Sequence, residues 1–229
     1  MRKFLSVFVL LALASSTLFA QDSHVYLKGG LNIANISTHP DGNIDKAHAL
    51  ASFHVGLAAD LPLGKFISIQ PGLLFTGKGA KTQSGQPGDS YYFKATSNPY
   101  YIELPLNLTL KAPLQPGSSF FFGAGPYAAI GIAGKNKTEG NTGPVEFKNS
   151  DAIQFSNDDP STFNEQEGAG LGIMRRFDFG LNATAGFELN GLLLAANYGY
   201  GLTKINSTAA NDDDKNKHRV LSFSIGFRL

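Results

Sequence analysis

From residue 24 onward the chain alternates apolar and polar positions with a two-residue period, the signature of strands whose two faces meet different surroundings. In "YIELPLNLTLK" (101–111) Ile102, Leu104, Leu106, Leu108 and Leu110 form one aliphatic face, while Glu103, Asn107, Thr109 and Lys111 share the other with Pro105. Seven further segments have the same rhythm: 24–36, 51–61, 66–77, 118–133, 175–189, 192–203 and 219–229. That in 175–189 is the cleanest, with Phe177, Phe179, Leu181, Ala183, Ala185, Phe187 and Leu189 opposite Asp178, Gly180, Asn182, Thr184, Gly186 and Glu188. Each segment is long enough to cross a bilayer as a tilted strand of about 9–11 residues.

The connections separate two architectures. "PLGK" at 62–65, "APLQPG" at 112–117 and Asn190–Gly191 are tight turns, the last a strong hairpin signal. The stretches 37–50, 78–97, 135–174 and 204–218 are long and polar. Short and long connections alternate throughout, as in an outer-membrane barrel with short periplasmic turns and long external loops. The expectation is an all-β, eight-stranded, antiparallel up-and-down transmembrane barrel, with aliphatic faces toward lipid and polar faces toward a lumen filled by side chains. A soluble ligand-binding barrel of the lipocalin kind is the alternative; it would turn the same aliphatic faces inward and has no need of alternating turns and loops.

The first residues change the picture by adding export. Arg2 and Lys3 precede an apolar stretch from Phe4 to Ala14, followed by small and polar residues up to Ala20. This is the layout of a secretory signal, so residues 1–20 are expected to be removed between Ala20 and Gln21, leaving 21–229 as one barrel domain in the outer membrane of a Gram-negative bacterium. With no cysteine, neither disulfide nor thiolate chemistry is available. Taking Arg2 and Lys3 from the 19 basic residues leaves 17 against 18 acidic ones, and no basic stripe of the nucleic-acid-binding kind is visible.

Candidate chemistry lies first on the polar faces. Glu103 is a carboxylate at membrane depth and needs a cation across the lumen, for which Lys28, Lys111 and Arg228 are in phase. With Asp60, Asp178 and Glu188 they form the expected lumen charge network. Pro71, Pro105 and Pro126 interrupt strands and predict bulges. In the absence of tryptophan, Phe75, Tyr100, Phe177, Tyr198 and Tyr200 are expected to form the outer aromatic girdle, and Phe66, Phe120, Phe187 and Phe227 the inner one.

Other motifs are weaker. "DGNID" (41–45) has the odd-position acidic spacing of a calcium loop, yet Lys46 stands where the glycine belongs, and Asp212, Asp213 and Asp214 read as a solvated tip. His39, His48 and His218 show no spacing that ties them to a nucleophile, and all three read as solvated. No cofactor and no metal are therefore expected.

"PYYIELPLNLTLK" resembles the Tyr-Ile/Leu-Glu-Ile/Leu-Pro-Leu strand of the PorT-like outer-membrane β-barrel family of Bacteroidota. "VYLKGGLNIANIS", the closing "SFSIGFRL" and the Ala20–Gln21 junction are further echoes. Leu229, where an aromatic is usual, and the long 135–174 connection depart from the pattern. The resemblance implies a small barrel in the outer membrane, in a family that includes a component linked to protein secretion. The expected role is that of a monomeric, non-enzymatic barrel in contact with outer-membrane lipid and, through its loops or turns, with another envelope component such as a secretion-system protein. The competing expectation is a lipid-modifying outer-membrane enzyme.

Overall fold

A computed structural model describes residues 23–37, 47–156, 173–205 and 217–229. Twelve strands run in chain order: β1 His24–Ser37, β2 Ala47–Pro62, β3 Ile67–Gly77, β4 Ala80–Ser84, β5 Tyr91–Gln115, β6 Ser118–Thr142, β7 Val145–Ala152, β8 Gln154–Ser156, β9 Ile173–Arg175, β10 Phe177–Leu189, β11 Leu192–Gly201 and β12 Lys217–Arg228. Eight of them pair antiparallel in sequence, β1 with β2, then β3, β5, β6, β10, β11 and β12. β12 returns to β1 along Tyr26↔Arg228 through Ser37↔Lys217, which closes the ring and removes its edges.

The phase of each strand follows from what it touches. Leu104, Leu106, Leu108 and Leu110 are exposed on the outer wall, while Glu103, Asn107 and Thr109 are buried within. Val25, Leu27, Leu31 and Ile33 on β1, and Phe177, Phe179, Leu181 and Phe187 on β10, are likewise exposed. An outer surface of bare aliphatic and aromatic side chains around a polar interior suits lipid rather than water. Among the described residues no helix is long and apolar enough to cross a membrane.

At the β10–β11 turn Asn190 and Gly191 both have positive φ, 50° and 93°, as a two-residue type I′ hairpin requires. The prolines behave differently from the expected bulges. Pairing lapses where Gln70 and Pro71 face β2, where Pro105 faces β3 and where Pro126 faces β5, yet the register is unchanged on either side. A missing N–H removes one ladder bond without requiring an extra residue. The register shifts fall instead between Tyr100 and Tyr101 and between Pro113 and Gln115.

The outer side departs most from expectation. β5 and β6 are each 25 residues long, more than twice the span of a bilayer. Their outer halves continue as a ribbon, flanked by β4 on one side and β7 on the other. Much of 78–97 and 135–152, expected as loop, is therefore sheet. The sequence 91–97 has no aliphatic face because that part of β5 lies beyond the lipid.

Candidate functional site: the filled lumen

Lumen-facing side chains come from the polar phase of all eight barrel strands and fill the interior in layers. The layer nearest the outer side is built on Lys78, which lies just beyond β3 and keeps that strand's inward phase after Gly72, Leu74 and Thr76. Its Nζ stands 2.7 Å from Glu103 Oε2 and 2.8 Å from Asp178 Oδ2. The three side chains are only 3%, 11% and 4% exposed, so this is a buried pairing in which each partner offsets the desolvation of the other. Glu103 and Asp178 share a row across β5, β6 and β10 with Ala129 between them, a residue small enough to leave room for the lysine.

The aromatic surroundings complete this layer. Tyr127 OH donates to Asp178 Oδ2 at 3.0 Å, and the Lys78 ammonium lies 3.9 Å from the centre of the Tyr127 ring. Gly180 permits that approach, because a Cβ there would lie 2.4 Å from Tyr127 Cε1. Tyr101 OH and His218 Nε2 are 3.2 Å apart, both side chains buried. Above them Phe155 packs edge-on to Tyr101 at 5.7 Å and joins Ile153, Met174 and Ile205 in an apolar cap over the outer mouth.

The middle layer is a belt of uncharged polar side chains around one lysine. His54 bonds Asn32 Oδ1 at 2.7 Å and Ser224 Oγ at 2.9 Å through its two ring nitrogens. Asn32 Nδ2 donates to Thr76 Oγ1 and to the Gly77 carbonyl, and Asn197 Nδ2 to Ser224 Oγ. Lys28 Nζ donates to Asn197 Oδ1 at 3.5 Å, with no carboxylate in pairing range among the described residues. Two cavities of about 50 and 30 Å³ flank Lys28, each with room for a few water molecules at most.

The innermost layer repeats the lysine-and-two-carboxylates composition. Lys111 Nζ lies 2.6 Å from Asp60 Oδ2 and 2.8 Å from Glu188 Oε2. Gln70 Nε2 donates to Asp60 and Ser119 Oγ to Glu188, at 3.1 Å each. Below, the lumen opens into a vestibule of about 620 Å³ bounded by the 112–117 turn, His24 and Arg228. A plug of Tyr26, Phe121, Leu193 and Ala195 packs within the barrel beside this layer.

The structure thus unites Asp60, Lys111 and Glu188 at one end and Glu103 with Asp178 at the other. Three expectations are corrected. The cation opposite Glu103 is Lys78, not Lys28, Lys111 or Arg228. Arg228 is exposed at the inner rim, its Nη1 3.4 Å from His24 Nε2, and among the described residues it forms no ion pair with a carboxylate. His218 is buried in the lumen rather than solvated. The structure also adds the Asn32–His54–Ser224 belt, whose residues lie on the inward phase of β1, β2 and β12. His39, residues 41–45 and Asp212–Asp214 lie outside the described residues. Among the described residues no group of three His, Asp or Glu side chains is arranged to hold a metal.

On the outer wall Phe53, Phe75 and Tyr100 form one aromatic group, with Phe75 and Tyr100 stacked at 5.2 Å. Phe120 and Phe187 pair at 5.2 Å toward the inner turns, and Phe66 and Phe227 are exposed. Phe177, Tyr198 and Tyr200 are also exposed, and Arg219 stacks on the Tyr200 ring at 3.6 Å. Exposed rings not singled out from the sequence, such as Phe122 and Phe223, also lie on this wall.

A closed, edge-free ring with an apolar exterior and a side-chain-filled polar core defines a small integral outer-membrane β-barrel protein. The chain belongs to the outer membrane protein beta-barrel domain family, which matches residues 19–207. Among solved structures it is similar to Neisserial surface protein A from Neisseria, at 12% identity over 91% of this chain and 99% of that one, with a TM-score of 0.39. It is similar also to the outer membrane protein OprG from Pseudomonas aeruginosa (12% identity, 90% and 95% covered, TM-score 0.43). Ail, the attachment invasion locus protein of Yersinia pestis, is a third (12% identity, 91% and 100% covered, TM-score 0.37). No curated protein matches the chain.

Proposed function

We propose that this outer-membrane barrel is a non-enzymatic, monomeric protein of the PorT-like kind found in Bacteroidota, which works by contact with another envelope component rather than by transport or catalysis. The observation that carries this reading is the β4–β7 ribbon. Its β7 strand pairs only with β6 among the described residues, and Tyr91, Phe93, Val145 and Phe147 are exposed toward its tip. An open strand edge beside exposed apolar side chains is a surface on which an added strand or protein partner can dock. The filled lumen supports the same reading, since a barrel whose interior is occupied by paired side chains has its chemistry at its ends.

The test is photo-crosslinking in cells from Phe147 and from Pro116 in the inner turn, with captured proteins identified by mass spectrometry. A discrete envelope protein, including a secretion component, is expected from one of the two positions. Lipid A from a deletion strain is compared in parallel, and an altered acyl or phosphate pattern there would replace the contact reading with the enzymatic one. In planar bilayers the purified barrel is expected to show no steady conductance.

A further inference from the structure

The outward face of the ribbon has a different character from its tip. Along β5 the even residues Tyr100, Ile102, Leu104 and Leu106 form the lipid-side wall, and the same phase continues upward through Asn98, Thr96 and Lys94. Three cross-strand rows rise above the Gly77–Tyr100–Ala133 row: Asn98–Lys135–Ala152, then Lys81–Thr96–Lys137–Ser150, then Gln83–Lys94–Glu139–Lys148. Lysines 81, 94, 135, 137 and 148 therefore lie on one face, continuous with the lipid-contacting wall and directly above the Phe53–Phe75–Tyr100 group.

Their pairing differs from row to row. Lys94 is bound to Glu139 at 2.6 Å in the upper row. Lys81, Lys135 and Lys137 in the two lower rows form no ion pair among the described residues, and Lys135 and Lys137 are exposed. Same-face rows are about 7 Å apart along a strand, and a strand tilted by about 45° gains about 5 Å of height per row. The three unpaired ammonium groups therefore stand about 5–10 Å above the ring level, in the polar layer of the outer leaflet. Thr96 and Ser150 put hydroxyl donors in the same row.

We infer that this face binds the phosphate groups of an outer-leaflet glycolipid of the lipid A class, with Lys81, Lys135 and Lys137 as the contacting cations and the Phe75–Tyr100 stack below packing against its acyl chains. Lysine suits a phosphate surrounded by water because it acts as a point charge on a long stem, whereas a planar bidentate partner would call for arginine. A basic side chain beside an anionic membrane surface contributes about fivefold in binding, so removing three should cost well over tenfold, and added salt should weaken the contact.

The experiment is native mass spectrometry of the detergent-solubilised full-length protein with added bis-phosphorylated lipid A, compared with the same lipid after phosphatase treatment. Wild type is expected to retain the phosphorylated lipid and lose most of the signal on dephosphorylation. A triple variant, Lys81→Gln, Lys135→Gln and Lys137→Gln, should retain at least tenfold less lipid while keeping the gel shift on boiling that reports a folded barrel. Lys94→Gln, which removes a lysine already paired with Glu139, should change retention less than twofold. Equal retention by the triple variant or of the dephosphorylated lipid overturns the inference. So does complete displacement by millimolar inorganic phosphate, which would mark a site for free anions, and so does a tenfold loss on Lys94→Gln.

Discussion

The two ends of the lumen hold the same three charges and treat them differently. At the outer end Lys78, Glu103 and Asp178 are closed in by Tyr127, Tyr101 and the Phe155 cap, with the lysine 3% exposed. At the inner end Lys111, Asp60 and Glu188 border an open vestibule, and the lysine is 14% exposed. The outer cluster is a buried charge group in which no member can be spared. The inner one is partly wetted at Lys111 and Glu188, 14% and 12% exposed, while Asp60 is only 2% exposed and has Gln70 as a second donor, so water and an amide can stand in for a lost lysine. The lesson is that composition alone does not rank charge clusters; access to solvent does.

The largest expected effect tests this ranking directly. Replacing Lys78 by Met leaves two carboxylates uncompensated in a closed layer and should cost about 3–5 kcal/mol, measured by urea titration of barrels folded into lipid vesicles. The wall between the clusters comes next. Leu106→Arg puts a cation against lipid and should cost about 2–4 kcal/mol, while Asn107→Arg, facing inward, should be limited by lumen space and charge partners instead. If Asn107→Arg showed the lipid-exposed defect and Leu106→Arg were accommodated, the assignment of inside and outside would be reversed.

Lys111→Met should cost less than the change at Lys78, about 1–3 kcal/mol, because the vestibule admits water to Glu188, which keeps Ser119 as a donor, and the buried Asp60 keeps Gln70. Equal costs at the two lysines would break the comparison. The smallest effect belongs to the ribbon, where Lys94 donates to Glu139 and holds its carboxyl below the usual carboxylate range. A depressed acid contributes above its unfolded pKa and loses that contribution as pH falls through the lowered folded value. An NMR titration of Glu139 should therefore show a midpoint below that of an unstructured glutamate, returning toward the ordinary value in Lys94→Gln, with only a small loss of stability because the pair is open to solvent.

Legibility in the sequence tracked the surroundings of each segment. Where a strand has lipid on one side and lumen on the other, the alternation is strong, and the eight spans and the Asn190–Gly191 hairpin could be read directly. The ribbon is wet on both faces, so 91–97 and 135–142 lack an aliphatic phase and read as loop, although cross-strand pairing holds them as sheet. Lys78 was hidden for a related reason: Gly77 and Gly79 flank it and make the segment look like a turn. Its signal was the inward phase of Gly72, Leu74 and Thr76, carried two residues further. His218 was obscured by its place beside a polar connection, where sequence context says solvent and the closed ring places it inside.

The outer cluster also bears on how the barrel finds its alignment. A barrel strand can slip by two residues and still keep its lipid and lumen faces, so the alternation that specifies inside and outside is blind to that error. Lys78 follows β3, Glu103 is on β5 and Asp178 on β10, contacts spanning about 100 positions of chain. A two-residue slip of any of them would move its charge about 7 Å and leave a carboxylate buried alone. The triad thus acts as a three-point alignment key, penalising misregistered rings that the hydrophobic pattern alone would accept.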